Sequence, residues 1–242
     1  MKTSVAKRLL NKGKSDFDKI AEKFAQTRRK VQPEILFLKD YIKEGDKVLD
    51  IGCGSGRFYD FFKEKKVTYF GIDFSKKLID IAKRKYLPHV SEIESWDQGK
   101  NLPTFIRVDA LDLPFEDNFF DKVFSIAVFH HIPSREKRLA FLKEIKRILK
   151  KNGEVHLTVW NLWTKKHIFK IIKANLKKFF FKSDLDYCDV FIPFDGKVDR
   201  YYHCFKKKEL KKLFSEARFL IKEVKDLRRN RKLLNFYIRA VK

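Results

Sequence analysis

A short apolar run that ends in three closely spaced glycines constrains the fold of this chain more than any other sequence feature. Residues 47–51 predict a buried strand, and Gly52, Gly54 and Gly56 follow it directly. Glycines at such a turn let the backbone bend sharply and approach a ligand, because no Cβ stands in the way. The pattern predicts a nucleotide-type binding loop, followed by a helix at 58–66.

Strand-like and helix-like segments alternate downstream of the glycine loop. Further strands are predicted at 68–73, 105–109, 121–127 and 154–160. Helices are predicted between them at 76–85 and 135–149. Strands separated by helices imply right-handed crossovers, so we expect an α/β fold with a mainly parallel sheet and helices on both faces.

The C-terminal part departs from this alternation. A helix at 206–217 is followed by two β-like runs, 219–227 and 234–241, which the polar residues 228–232 connect. Two such runs joined by a short polar segment predict an antiparallel hairpin. We place this hairpin at one edge of the sheet.

An N-terminal region, 1–44, precedes the main domain at 45–242. Its first 15 residues are basic and predict a poorly ordered arm. Apolar residues at helical spacing then predict amphipathic helices at 16–27 and 36–42, the second of them beginning near Pro33.

Two segments interrupt the main domain. One is a polar loop predicted at 88–101, and the other is a basic insertion at about 162–200. Within the insertion, the apolar residues of 164–182 share one broad helical face. Its lysines could contact RNA phosphates, its apolar face could enter a lipid interface, or the helix could cover the core with its lysines solvated.

Acidic residues stand at or near the ends of three predicted strands. Asp50 precedes the glycine loop, Asp73 ends the second strand and Asp109 ends the third. Ligands of open α/β sheets bind at the carboxyl ends of the strands, where Asp73 could accept hydrogen bonds from ribose and Asp109 from an adenine amine. Arg57 replaces the last glycine of a dinucleotide fingerprint, which disfavours a NAD enzyme and favours a nucleoside with a sulfonium and an amino acid tail.

The segments VLDIGCGSGRF, YFGIDFS, VDALDLPF, FDKVFSIAVFHHI and LKEIKRILKKNGEVHLTVW occur in the order seen in class I methyltransferases, and this resemblance covers roughly residues 45–160. The resemblance implies a Rossmann-like fold of about seven strands, the last antiparallel, with S-adenosyl-L-methionine as cofactor. The implied cofactor-binding residues are Asp50, Gly52, Gly54, Gly56, Asp73, Phe74, Asp109, Ala110 and Ile126.

The flanking segments FDKIAEKFAQTR, SIAVFHH and DRYYHCF resemble the family that methylates the carboxymethyl group of wobble uridine in tRNA. This resemblance implies tRNA as a partner and, because eukaryotic members use one, a possible small zinc-binding activator subunit. A carboxylate nucleophile is already deprotonated at neutral pH, so it needs orienting donors rather than a general base. The candidate catalytic residues are Arg28, His131, Arg200, Tyr202 and His203.

The composition of the chain indicates which kind of partner it binds and in which cellular compartment it is expected. The chain holds 56 Lys and Arg against 32 Asp and Glu, a net charge of +24 that suggests an anionic partner, although an AT-rich genome would produce the same lysine bias. The three cysteines lack CxxC spacing and suggest neither a disulfide framework nor a metal site. Without a signal peptide or an apolar run of about 20 residues, the expected location is cytoplasmic.

Two other functions remain open at this level. A small-molecule or quinone-type methyltransferase, membrane-associated or not, would explain the glycine loop equally well and a lipid-like insertion better. A non-enzymatic RNA-binding protein could keep the cofactor fold without turnover, but it would not need Asp73 and Asp109 intact. Binding of S-adenosylmethionine would separate that last class from the other two.

Overall fold

The structure is a computed structural model that describes residues 1–87, 102–181 and 183–242. The polar loop predicted at 88–101 therefore lies outside the described residues. The strands are β1 (Lys47–Ile51), β2 (Thr68–Asp73), β3 (Thr104–Arg107), β4 (Phe120–Ile126), β5 (Leu149–Trp160), β6 (Asp189–Phe194), β7 (Val198–His203), β8 (Leu220–Arg229) and β9 (Lys232–Val241). The α-helices are α1 (Thr3–Thr27), α2 (Lys76–Tyr86), α3 (Arg135–Ile148), α4 (Ile168–Phe181) and α5 (Lys207–Glu216). Short 3-10 helices span Pro33–Tyr41, Arg57–Phe61 and Phe129–His131.

Seven strands form the main sheet in the order β3-β2-β1-β4-β5-β9-β8. The pairs from β3 to β5 are parallel, whereas β9 pairs antiparallel with both β5 and β8. The predicted α/β fold and the antiparallel edge hairpin are therefore confirmed. Apolar residues of the central strands, of α3 and of α5 form one continuous core that holds the carboxyl ends of β1, β2 and β4 in fixed positions.

The predicted disorder of residues 1–15 was wrong, because α1 is one helix from Thr3 to Thr27. Val5 and Leu9 are buried and pack against Tyr201 of the insertion. The apolar stripe of α1 thus continues into its basic half, where only a distant part of the chain can cover it. This contact gives the N-terminal half the packing that helices need in water.

The helix predicted at 58–66 was also wrong, since only a 3-10 turn, Arg57–Phe61, follows the glycine loop. Phe58, Tyr59 and Phe62 are buried there. The next four residues, 63–66, are charged lysine and glutamate side chains that lie exposed. Without an apolar residue to bury, nothing extends the helix beyond its first turn.

The insertion has its own secondary structure. Its helix α4 packs through Ile171 against Val190 and Tyr202, and β6 and β7 form a separate two-stranded antiparallel sheet. Strand β7 runs beside α1, so the N-terminal region and the insertion meet above the sheet. The boundaries of 1–44 and of the insertion as domains stay predictions. No helix in the described part of the chain is long and apolar enough to cross a membrane.

Candidate active site

A cavity of about 920 Å³, counted to its open mouth, lies at the carboxyl ends of β1, β2 and β4. The glycine loop forms its floor, and Phe17, Phe24 and Arg28 of α1 lie over it. Arg200 from β7 and His131 complete the wall, so three separate parts of the chain build the site.

The glycine loop has the conformation that its sequence predicts. Gly52 has a φ of +72°, and a Cβ at this position would overlap the side chain of Val128. Its N–H and that of Cys53 donate to the carbonyl oxygen of Ile72 at 2.7 and 3.0 Å, which fixes the loop to β2. Gly52 and Gly54 line the cavity, as predicted.

Gly56 has a different role from the one implied by the resemblance. It is not among the residues that line the cavity. A Cβ there would come within 2.9 Å of the rings of Phe105 and Tyr86. Gly56 therefore allows close packing of the loop on β3 and α2, and its predicted contact with the cofactor stays a prediction.

Asp73 is buried at the end of β2 and anchors two turns. Its Oδ2 accepts the Gly54 N–H at 3.0 Å, and its Oδ1 accepts the Ser75 N–H at 2.9 Å. Ser75 in turn caps α2 by accepting the Leu78 N–H at 3.2 Å. Each carboxylate oxygen has a second lone pair available for a ligand. Burial raises the pKa of Asp73 to about 6, against the lowering effect of these backbone donors.

Asp50 ends β1 on the opposite side of the loop. Its Oδ2 accepts a hydrogen bond from the Tyr69 hydroxyl at 2.8 Å. Burial raises the pKa of Asp50 to about 7, and the Tyr69 hydrogen bond and nearby Arg57 limit that rise. Both Asp50 and Asp73 line the cavity, together with the predicted residues Phe74 and Ile126.

Asp109 and Ala110 lie apart from this cavity. The Oδ2 of Asp109 pairs with Lys14 Nζ of α1 at 2.9 Å, and its Oδ1 accepts the Leu111 N–H at 3.1 Å. Asp109 lines a neighbouring cavity whose walls also include Phe74. Ala110 packs against the main core. An adenine acceptor role for Asp109 would need Lys14 to move or share the carboxylate, and that role stays a prediction.

Arg28 and Arg200 both line the cavity, lie over the same Phe194 ring at 5.5 and 4.6 Å, and have no carboxylate partner among the described residues. The Arg28 guanidinium lies over the Phe24 ring at 4.0 Å, and among the described residues it donates a hydrogen bond only to the hydroxyl of Thr27. Burial, followed by repulsion from Arg200 and Arg57, lowers the pKa of Arg28 to about 10. Both groups remain cationic at neutral pH, so the wall carries unneutralised positive charge.

His131 reaches the cavity from the turn after β4, as predicted. Its Nδ1 lies 2.9 Å from the carbonyl oxygen of Tyr201. Because a carbonyl can only accept, Nδ1 carries the proton and Nε2 is an acceptor in the neutral ring. Burial lowers the pKa of His131 to about 3, so His131 is neutral at physiological pH. It cannot add charge to a carboxylate site.

The structure does not bring Tyr202 and His203 into the cavity. Tyr202 is fully buried and stacks on Trp160 at 5.4 Å and on His130 at 5.2 Å. Both ring nitrogens of His203 face carboxylate oxygens at 2.8 Å, which belong to Asp189 and Glu209. The His203 ring is thus engaged by two carboxylates, whereas the Tyr202 hydroxyl has no hydrogen-bond partner among the described residues. Both residues belong to β7, the strand that carries Arg200, and their role in catalysis stays a prediction.

Sequence reasoning missed several residues of the cavity wall. Arg57, Trp160 and the two phenylalanines Phe17 and Phe24 line it. Both phenylalanines fall on the apolar stripe of α1, so the sequence indicated that they are buried. It could not indicate which part of the chain they pack against. Gln32 also lines the cavity, and its amide lies 3.1 Å from the Arg57 guanidinium.

The topology of the sheet defines the class of protein. The last strand, β9, inserts antiparallel between β5 and β8, as the resemblance to class I methyltransferases implied. A GxGxG loop takes the place of the dinucleotide fingerprint at the end of β1. The fold and the site are therefore those of a Rossmann-like methyltransferase.

Comparison with known proteins agrees with this class and narrows it. Residues 49–157 match the model of a methyltransferase domain family. The tRNA (carboxymethyluridine(34)-5-O)-methyltransferase of Schizosaccharomyces pombe is 30% identical over 225 residues, which cover 83% of this chain and 85% of that protein. The corresponding Xenopus tropicalis protein is 34% identical over 60% of this chain, which spans only 20% of that longer protein. The chain thus belongs to the S-adenosylmethionine-dependent methyltransferase family that includes the S. pombe enzyme.

Solved structures share the fold. A SAM-dependent methyltransferase from Methanosarcina mazei is 26% identical with a TM-score of 0.70, and the match covers 88% of this chain and 98% of that one. A Haloferax volcanii protein solved in complex with the Trm112 methyltransferase activator is 18% identical with a TM-score of 0.63, covering 95% and 96% of the two chains. At that identity the second likeness concerns the fold alone.

The cavity fits S-adenosylmethionine. Gly52 and Gly54 line the cavity with bare backbone, at φ values of +72° and +58°. Asp73 retains lone pairs that would accept two ribose hydroxyls, and ionised Asp50 would provide negative charge for the ammonium of the amino acid tail. Bound S-adenosylmethionine supplies an electrophilic methyl group on its sulfonium.

Cofactor affinity should rise with pH between about pH 5.5 and 8. The raised pKa values of Asp50 (about 7) and Asp73 (about 6) mean that acid protonates the two acceptors that bind the cofactor. We expect the dissociation constant to fall by about tenfold or more over this interval. Calorimetric titration with S-adenosylhomocysteine and S-adenosylmethionine at several pH values measures it.

The stability of the unliganded protein should fall as pH rises, whereas the cofactor affinity rises. Because folding raises the pKa of both carboxyls, their contribution to stability is complete below pH 3.8 and is lost as pH rises through about 6 and 7. The thermal shift on adding cofactor should therefore be larger at pH 8 than at pH 5.5. A pH-independent dissociation constant would show that neither carboxylate contacts the cofactor.

Proposed function

We propose that this protein methylates the carboxymethyl group of a modified wobble uridine in tRNA. The observation that carries the proposal is the pair of guanidiniums, Arg28 and Arg200, which line the cavity without a carboxylate partner among the described residues. Arg200 is buried and Arg28 half-buried, and a cation removed from water without a counterion is costly, so a ligand is expected to supply the missing charge. A substrate carboxylate is the group that fits two guanidiniums, because each offers a planar fork of donors.

The residues of the site would act by alignment. A carboxylate with a pKa near 4 is already the nucleophile at neutral pH, and a positioned pair of reactants can lower a barrier by about 7–11 kcal/mol. Arg28 and Arg200 would hold one carboxylate oxygen each and leave lone pairs free for attack on the methyl carbon. Neutral His131 would accept a hydrogen bond from an N–H of the base without competing for the carboxylate.

Three features support a tRNA substrate over a small molecule. The S. pombe relative, which matches along 85% of its length, is named for this reaction. The net charge of +24 suits a polyanion. The paired arginines select a carboxylate, which a quinone-type substrate lacks. A small-molecule or membrane-associated methyltransferase is therefore not favoured.

The proposal predicts methyl ester formation on tRNA that carries wobble carboxymethyluridine. Purified protein is incubated with labelled S-adenosylmethionine and this tRNA, and the nucleosides are analysed by mass spectrometry. The assay is run with and without the zinc-binding activator subunit that the resembled family uses. The same tRNA with unmodified uridine is the matched control, because it lacks the carboxylate and should accept no methyl group. Transfer to both tRNAs, or to neither under both conditions while the cofactor still binds, would contradict the proposal.

A further inference from the structure

Helix α4 (Ile168–Phe181) has an outward apolar face that nothing in the described structure covers. Phe169 is 78% exposed, Phe179 71% and Phe180 67%, and Ile172 and Leu176 are about half exposed. These five side chains recur every three or four residues and share one side of the helix. Large exposed apolar patches of this kind mark interaction surfaces.

A strip of lysines borders this face. Six lysines and no acidic residue occur between Thr164 and Phe180. Lys170, Lys173 and Lys177 are exposed, and no ion pair is formed by them within the described ranges 1–87, 102–181 and 183–242. The face is therefore complementary to a negatively charged partner rather than to another basic surface such as a second copy of this chain.

The opposite side of α4 connects it to the cavity. Ile171 is fully buried and packs in one cluster with Tyr202, whose ring stacks on the cavity residue Trp160 at 5.4 Å. The helix, about 10–12 Å wide with side chains, and the ring of Tyr202 therefore separate the outer face from that wall. A ligand that extends beyond the cavity could reach it.

We infer that the α4 face, defined by Phe169, Ile172, Leu176, Phe179 and Phe180 with the neighbouring lysines, binds single-stranded RNA next to the modified base. This inference rests on the proposed function. Proteins that bind unpaired RNA combine aromatic side chains, on which bases stack, with cations that follow the phosphates. Phe179 and Phe180 meet edge to face at 5.0 Å, so they present two differently oriented ring surfaces. A wobble nucleotide lies in an unpaired loop whose neighbouring bases can stack on such rings.

Binding of a labelled anticodon stem-loop RNA, followed by fluorescence anisotropy, tests the inference without requiring catalysis. Phe179→Ser with Phe180→Ser should weaken binding about tenfold or more, because stacking on each base is worth about 1–3 kcal/mol. The double leucine variant should lose as much, and the double tryptophan variant should retain the affinity. Leu220→Ser on β8 removes an equally exposed apolar side chain elsewhere and should change nothing.

The lysines give a second readout. Lys173→Gln with Lys177→Gln should reduce the slope of log affinity against log salt by about 1.4, since each phosphate contact to a single strand contributes about 0.7. Lys211→Gln with Lys212→Gln on α5 is the matched control and should leave the slope unchanged. Equal effects of both pairs would overturn the inference, because binding would then be diffuse attraction to a basic protein.

Other occupants of the face give different results. Binding to phosphatidylcholine and phosphatidylserine vesicles that survives the leucine variant and is lost in the serine variant would assign the face to a membrane and overturn the inference. RNA affinity unchanged in the serine variant would also overturn it, even if methyl transfer to tRNA is confirmed. Weakened RNA binding in a protein that transfers no methyl group would support the α4 face while refuting the proposed function.

Discussion

Asp73→Asn should weaken S-adenosylmethionine binding by at least about a hundredfold, because it removes charge-assisted hydrogen bonds worth about 1.5–3 kcal/mol each. Both carboxylate oxygens already accept a backbone N–H, from Gly54 and from Ser75. Asparagine must turn its amide nitrogen towards one of these donors. The variant therefore loses a ligand acceptor and leaves one loop N–H without a partner. Calorimetric titration measures the loss of affinity.

The structural part of this effect needs a control. Leaving a buried N–H unpaired costs about 1–3 kcal/mol, so Asp73→Asn should also lower the melting temperature. Asp80→Asn on α2 removes a half-exposed carboxylate whose ion pair among the described residues is with Lys76 at 2.8 Å, and it should change neither quantity. If Asp73→Asn melts early but binds the cofactor normally, Asp73 is a turn residue and its assignment to the cofactor site is wrong.

Asp73 and the glycine loop could be predicted because their signals are local. A strand, its terminal acidic residue and the following glycines are adjacent in sequence, and the sheet brings successive strand ends together. The same reasoning placed Asp50 and Phe74 correctly at the cavity. It could not show that Lys14 would pair with Asp109, because that contact joins residues far apart in the chain.

The N-terminal half of α1 shows the same limit. Val5 and Leu9 have helical spacing, but a few apolar residues in a basic segment do not predict order by themselves. Their burial depends on Tyr201, which lies nearly 200 residues later. Long-range partners of this kind carry no signal in one sequence, so an arm and an ordered helix look alike.

The alternation of side chains along a strand could have corrected the assignment of both Arg200 and His203 to the site. Successive side chains of a strand point to opposite faces, so Arg200 and His203 of β7 cannot lie on the same face. The structure places Arg200 at the cavity and His203 in the network with Asp189 and Glu209. Tyr202 does share the face of Arg200, but the stack of Trp160 and His130 covers it. That aromatic stack could not be foreseen from sequence.

Arg200→Met should lower kcat/KM for carboxymethyluridine tRNA by about a hundredfold, since the charge-assisted hydrogen bond to one oxygen of the substrate carboxylate is lost. The melting temperature of this variant should stay unchanged or rise. Arg200 is only 5% exposed, its guanidinium lies over the rings of Phe194 and Tyr202 at 4.6 and 5.3 Å, and its Nε has no hydrogen-bond partner among the described residues. Burial lowers the pKa of Arg200, so the cation is destabilised unless an anion binds beside it.

A loss of activity without a loss of stability separates a residue that binds the substrate from one that supports the fold. Methionine keeps most of the packing volume and removes the uncompensated charge, which often leaves a protein as stable or more stable. Arg200→Lys should recover part of the activity because it restores charge without the planar fork. Arg84→Met, at an exposed position of α2, should alter neither activity nor melting temperature. If Arg200→Met loses activity and melting temperature together, Arg200 supports the fold, and the carboxylate must be held by other residues.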